Sequence, residues 1–220
     1  MNRATTIYEL LLERFGPQHW WPAETPFEVI VGALLMPQTS WKNVEAAIRN
    51  LKEARMLAPA KIATASIARL TSLIRPAGLH MTKPRRLREF CRHIMRTSGG
   101  DVRSFLGRDK ASLRHELLSL EGVGPETADS MLLYAANKKT FVVDAYTRRV
   151  GKRVGLFDFD DYGKVQGYFE DNVAGGVRLY QEYHALIVEL AKRICRPQPL
   201  CDLCPLNKVC NHAKRSSGKR

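Results

Sequence analysis

Four of the five cysteines in this 220-residue chain, Cys195, Cys201, Cys204 and Cys210, fall within 16 residues at the spacing C-x5-C-x2-C-x5-C. Thiols packed this densely act as metal ligands where the compartment keeps them reduced. The N-terminal stretch MNRATTIYELLLERFG sets charges among its leucines, and no run of 18 apolar residues occurs. That pattern fits neither a secretory leader nor a membrane span. The expected compartment is the cytoplasm, in contact with the nucleoid, and the cysteines are expected to hold a redox-capable or structural metal centre. A second reactive position is Asp144, in FVVDAYTRRV. The apolar run buries the approach, and a helix starting just beyond makes Asp144 a natural N-cap. A carboxylate fixed in this way can also stabilise positive charge developing on a sugar, and orient or deprotonate a water.

The charge balance narrows the partner. Lys and Arg number 35 against 22 Asp and Glu, a net charge of +13. Basic residues concentrate in 83–96, 148–153 and 213–220, which fits a polyanion. Residues 119–129 read SLEGVGPETAD, with Gly122 and Gly124 bracketing Val123. A tight glycine turn ahead of a helix N-terminus points backbone N–H groups outward, and such a nest holds phosphate without reading a base. Taken alone, the same turn is also an ordinary connection between helices.

The elements that must position these groups read as helices almost throughout. Apolar spacing predicts helices over 4–15, 27–36, 41–54, 59–70, 84–97, 110–119, 126–136, 145–154, 161–172 and 176–191. Pro26 suits a first helical turn with Thr25 as its cap, and Pro37 should end or kink the apolar helix before it. Residues 101–107 read as a short helical turn. The stretch 140–143 has β-like composition without partner strands and is read as extended loop. The expected fold class is all-α.

The pattern L-x-G-V-G-x-x-T-A resembles the helix-hairpin-helix motif of DNA repair glycosylases. With VVDAYTRRV and the cysteine cluster, the chain resembles the endonuclease III branch of that superfamily over residues 5–211. The resemblance implies two helical domains with the lesion site between them. Residues 25–137 would form a six-helix domain with the hairpin at about 111–136. Residues 1–24 plus 138–211 would form a helical domain with a C-terminal [4Fe-4S] cluster loop, followed by a basic disordered tail over 212–220. It further implies that Asp144 is the catalytic carboxylate. Cys195, Cys201, Cys204 and Cys210 would be the cluster ligands, and Gly122, Val123, Gly124 and Thr127 would bind the DNA backbone. The first cysteine spacer has five residues where endonuclease III has six, and zinc is the structural alternative to the cluster.

One departure changes the expected chemistry. Strand-cleaving relatives read L-P-G-V-G-R-K-T-A, with a lysine at the position of Glu126. A carboxylate cannot form the imine that leads to strand scission, and Lys138 and Lys139 lie at the far end of the helix. The stretch from Trp21 to Glu45, with G-x-E-T-A-D and V-V-D-A-Y-T-R-R, is most similar to the 3-methyladenine glycosylases of this scaffold. Those relatives also lack the lysine.

The expected activity is that of a monofunctional DNA N-glycosylase of base excision repair, removing alkylated purines from damaged double-stranded DNA as a monomer. Cationic bases would be selected by aromatic faces and negative potential. The pocket or lesion-gap candidates are Glu126, Gln38, Trp41, Trp21 and Tyr146, with Trp20 beside them. Tyr183 and His184 either face the cleft or pack inside, and His184 is not expected to be the catalyst. The alternatives are an endonuclease III-like enzyme for oxidised or mismatched bases with residual lyase activity, and a non-catalytic lesion-binding protein.

Overall fold

The computed structural model describes residues 2–79 and 81–217. Among them no strand occurs. Thirteen α-helices follow in chain order: α1 (Arg3–Phe15), α2 (Pro26–Leu35), α3 (Trp41–Glu53), α4 (Pro59–Thr64), α5 (Ile67–Leu73), α6 (Thr82–Ser98), α7 (Val102–Leu106), α8 (Lys110–Leu118), α9 (Pro125–Ser130), α10 (Ala145–Val154), α11 (Tyr162–Asn172), α12 (Val177–Arg193) and α13 (Asn211–Ser217). No helix is long and apolar enough to cross a membrane. The chain divides into two compact units: Ala23–Lys138, and Met1–Pro22 together with Lys139–Arg220.

Helix starts follow capping chemistry. Thr25 Oγ1 accepts the Glu28 N–H at 3.2 Å, and Pro26 occupies the first turn, where no donor is needed. Ser40, Ser66, Asp109 and Asp161 cap α3, α5, α8 and α11 in the same way. Ser66 also explains the one expected helix that divides. Its hydroxyl takes the Arg69 N–H at 3.2 Å while Ala65 is extended, so 59–70 restarts there and becomes α4 and α5. The helix expected over 126–136 begins as α9 and widens into a π turn over Met131–Ala135, with Ala136 N–H reaching Met131 O at 2.9 Å. The segment expected to be a disordered tail is helical as far as Ser217. There α13 buries Ala213 and packs on α10; residues 218–220 lie outside the described residues.

In the Ala23–Lys138 unit, α2 is the core. Every residue from Phe27 to Leu35 is buried, with α3, α6, α7, α9 and the π turn packed around it. A carboxylate on this helix, Glu28, is buried with it; it pairs with Lys52 at 2.9 Å and accepts the Glu24 N–H at 3.1 Å. A helix apolar on all faces has no solvent side, which is why this one lies at the centre.

The other unit is built around an aromatic cluster. Phe141 stacks on Phe169 at 4.1 Å and meets Tyr180 and Tyr183 edge-on at 5.4 and 5.9 Å. Tyr183 donates to Ala4 O at 2.8 Å and packs on Tyr8, which ties α1 to α12.

Phe141, Val142 and Val143 are buried and extended, with no strand beside them. Side chains one turn apart on α11 supply what a strand would. Glu170 Oε1 accepts the Phe141 N–H at 2.9 Å, Gln166 Nε2 donates to Phe141 O at 2.7 Å, and Tyr162 Oη accepts the Val143 N–H at 3.4 Å. Buried backbone polar groups need such partners. Glu170→Leu should cost roughly 1–3 kcal/mol by stranding a buried donor, while Glu170→Gln, which keeps an acceptor, should cost little. Urea unfolding midpoints at constant slope check this.

Candidate active site and cysteine ring

The extended segment 140–143 delivers Asp144 to the start of α10. Its backbone is extended (φ −99°, ψ −177°), and Oδ1 accepts the Thr147 N–H at 2.6 Å. The expected cap is therefore present. The second oxygen, Oδ2, lies 3.5 Å from Nε2 of His184 in the middle of α12; the two side chains are 14% and 9% exposed. Burial works to raise the Asp144 pKa, but the His184 imidazole and the Thr147 amide outweigh it and hold the carboxyl below the ordinary aspartate value of 3.8. The outcome is an anionic carboxylate with little water around it and one oxygen already committed.

The rest of α10 is locked to the cysteine segment. Arg149 donates to Cys195 O at 2.9 Å and Ala191 O at 3.2 Å, and its guanidinium lies 5.1 Å from the Tyr146 ring. One turn on, Arg153 donates to Pro197 O at 2.8 Å and stands 3.5 Å from Cys195 Sγ, while Cys210 Sγ donates to Arg153 O at 3.3 Å. The i, i+4 spacing puts both arginines on one helix face.

Cys195, Cys201, Cys204 and Cys210 line one cavity, along with Arg153 and His212. None of them forms a disulfide. Burial pushes the Cys204 thiol up to about 11, against the Leu206 N–H, and the other three cysteines add to the rise. Cys201 is raised for the same leading reason. Four thiolates sharing so small a space repel unless positive charge lies among them, which is the condition a metal centre meets. Among the described residues no three His, Cys, Asp or Glu side chains converge tightly enough to hold a single ion. Four cysteine side chains lining one cavity are a donor set that either an iron–sulfur cluster or a zinc ion takes.

In the other unit, α8 and α9 form the glycine hairpin. Gly122 is left-handed (φ 83°), a conformation that favours glycine, and the Arg86 side chain lies close across it where a Cβ would stand. Gly122 and Gly124 are exposed, whereas Val123 and Thr127 are buried. Val123 is therefore the apolar anchor of the turn, its N–H bonded to Leu120 O at 3.1 Å. Asp129, fully buried, accepts two bonds from Arg114 at 2.7 and 3.0 Å, which join the two helices of the hairpin. The sequence marks Arg86 only as one of the basic residues of 83–96 and gives no sign of the Arg114–Asp129 pair. A carboxylate and an arginine facing each other from adjacent helices are invisible without the helix–helix register.

The remaining candidates are scattered. Glu126 is exposed in the first turn of α9. Gln38 is exposed and left-handed (φ 59°) in the α2–α3 turn, just past Pro37. Trp41 opens α3 and is half-buried. Trp21 is half-buried with its ring 5.3 Å from that of Trp20. Tyr146 lies on the first turn of α10, two residues from Asp144 and under Arg149. Asp144 and His184 are thus brought together, with Tyr146 two residues along α10, while Gln38, Trp41 and Glu126 belong to the other unit.

Comparison with known proteins fits this arrangement. The chain belongs to the HhH-GPD superfamily of base excision DNA repair proteins, whose profile matches residues 31–174. Membership puts it among the DNA glycosylases of base excision repair. It is 47% identical over 206 residues to a protein of Methanocaldococcus jannaschii named as a DNA repair glycosylase, covering 93% of this chain and 94% of that one. The fold matches a 3-methyladenine DNA glycosylase of Helicobacter pylori, solved with 1,N6-ethenoadenine, at a TM-score of 0.77 and 28% identity over 86% of this chain and 97% of that one. It also matches endonuclease III trapped as a covalent intermediate with DNA, at a TM-score of 0.83 and 23% identity over 99% of this chain and all of that one.

Because the folded-state pKa of Asp144 is depressed, its stabilising contribution is fully present above its unfolded value and is lost as pH falls through the folded one. Asn at position 144 retains the cap without the charge. The stability gap between the wild type and Asp144→Asn should therefore be widest near neutrality and close below about pH 3.8. Thermal melts across that range measure it.

Proposed function

We propose that this protein is a monofunctional DNA N-glycosylase that flips alkylated purines, such as 3-methyladenine, out of double-stranded DNA and hydrolyses their glycosidic bond. The observation that carries the chemistry is Asp144: a buried carboxylate kept anionic, with one oxygen held by a backbone amide and the other beside an imidazole. An alkylated purine leaves as a neutral base because it departs from a cationic nucleotide. The electron pair of the C1′–N9 bond goes to the base, positive charge develops on the sugar, and water adds at C1′. Asp144 would stabilise that charge and take up the water proton, leaving an abasic site.

Glu126 supports the monofunctional reading. An exposed carboxylate in the first turn of α9 offers no amine to attack C1′, and it suits the positive end of that helix. Trp20, Trp21, Trp41 and Tyr146 are the aromatic faces available to stack a cationic base, and the partial exposure of each is consistent with that use. The Helicobacter pylori relative, which carries that specificity in its name, lends further support. Gln38, on a strained exposed turn, is proposed to fill the gap left by the flipped nucleotide.

DNA would be held at the backbone by the turn containing Gly122, Val123, Gly124 and Thr127, with Arg86 lying across Gly122 as a phosphate-neutralising cation. The four cysteines are proposed to hold a [4Fe-4S] cluster that orders the loop from 195 to 210 and, once bound, is capable of one-electron chemistry. With all four ligands supplied by cysteine, hydrolysis falls to Asp144. The protein is proposed to act as a monomer on chromosomal DNA in the cytoplasm.

Duplexes each carrying a single lesion should separate the possibilities. Release of 3-methyladenine is expected, with strand scission only after hot alkali. Scission without alkali, trapped by borohydride, would show an active amine and refute the monofunctional reading. Asp144→Asn should slow excision by about 10²–10⁴-fold, with binding to the same duplex retained. A broad visible charge-transfer band that bleaches on reduction should accompany the purified protein; a colourless zinc protein would remove the cluster from the proposal.

A further inference from the structure

We propose that His184 is a positioning residue for Asp144, its imidazole fixing the carboxylate oxygen that the helix cap leaves unheld. The proposal rests on the reading of Asp144 as the catalytic carboxylate and adds the group through which that carboxylate is aimed.

The case begins with the cap. The Thr147 amide holds Oδ1 at 2.6 Å, and a single bond to one oxygen lets the carboxylate rock about it. Oδ2 faces His184 Nε2 at 3.5 Å. With its proton on Nε2, the imidazole offers Oδ2 a donor in a site from which most water is excluded. The separation is long for a hydrogen bond in the free protein, and contacts of this kind shorten when substrate closes the site.

The imidazole is itself rigidly placed. It lies mid-helix on α12, next to Tyr183, whose hydroxyl is bonded to Ala4 O at 2.8 Å and whose ring packs against Tyr8, Phe141 and Phe169. The C-terminal end of α12 is held to α10 by Arg149. The rest of the buried face of α12 is Tyr180, Tyr183, Ala185, Leu186, Ile187, Leu190 and Ala191, so an ionisable ring there is costly to bury unless it has a partner.

Several other titratable groups around α12 are engaged elsewhere. Arg149 of α10 is spent on the Ala191 and Cys195 carbonyls. Glu170 of α11 accepts the Phe141 N–H. Glu182 accepts the Gln18 N–H at 2.5 Å. Burial raises the Tyr8, Tyr180 and Tyr183 hydroxyls, Tyr180 to about 12, so all three are neutral at working pH. Asp144 is an anion that faces the ring, at 3.5 Å.

A merely structural histidine would affect folding alone; a positioning one also moves the pH profile. The test is single-turnover excision from the 3-methyladenine duplex, or from a G·U, G·T or thymine-glycol duplex if the wild type processes that instead. It uses the full chain with its metal centre, across pH, for the wild type, His184→Leu, His184→Gln and Asp144→Asn. His184→Leu should lower the rate about 10–100-fold and move the acid limb to higher pH, with affinity for the duplex unchanged. His184→Gln, which can still donate a hydrogen bond, should recover most of the rate at neutral pH and part of the position of the acid limb. Melting temperatures identify a variant that is simply unfolded, and the glutamine variant then decides alone. Wild-type rate and an unmoved acid limb in a folded His184 variant would overturn the proposal while leaving Asp144 in place. Full turnover by Asp144→Asn would instead bring down the reading of Asp144, whatever the His184 variants do.

Discussion

The hydrogen bond from the Thr147 amide to Asp144 Oδ1 is the interaction on which the candidate site depends. It starts α10, and it sets the carboxylate at a helix N-terminus, where the helix dipole favours negative charge. Everything beyond it follows from where α10 points. Arg149 and Arg153 on one face of that helix hold the backbone around Cys195, and Arg153 reaches the Cys195 sulfur as well. A single helix therefore joins the carboxylate to the cysteine segment, with α12 packed alongside to carry His184.

Upstream, the same carboxylate is held by an arrangement that avoids building a sheet. The segment 140–143 is extended because β-branched and aromatic residues favour it. It is buried because Phe141 and its valines complete the aromatic core, and α11 satisfies its peptide groups through Tyr162, Gln166 and Glu170. Extended backbone in an all-helical protein survives only under such conditions.

Much of the fold was legible because helix signals here are local. Thr25 before Pro26, Ser40, Asp109, Asp144 and Asp161 announce helix starts through their own side chains, and these helices begin where those caps predict. The all-apolar run at 27–35 is central for the reason its composition suggests. What was missed depends on longer-range competition. Ser66 divides a helix whose apolar spacing is continuous. The π turn at Met131–Ala135 lies in a fully buried stretch, and apolar spacing does not mark it. The helical segment Asn211–Ser217 is polar enough to read as a tail, and it is held because Ala213 finds a surface on α10.

The candidate site divides along the same line. Residue type and spacing marked Asp144, the glycine turn and the four cysteines, because each is a local pattern with its own chemistry, and the family resemblance marked Glu126 as standing where strand-cleaving relatives carry a lysine. Only the tertiary structure brought His184, 40 positions later, within 3.5 Å of Asp144, paired Arg114 with Asp129, laid Arg86 over Gly122 and spread the four thiols around a cavity. Those are contacts between helices, set by how buried faces pack together, and a sequence records what each face is made of but not which face it will meet.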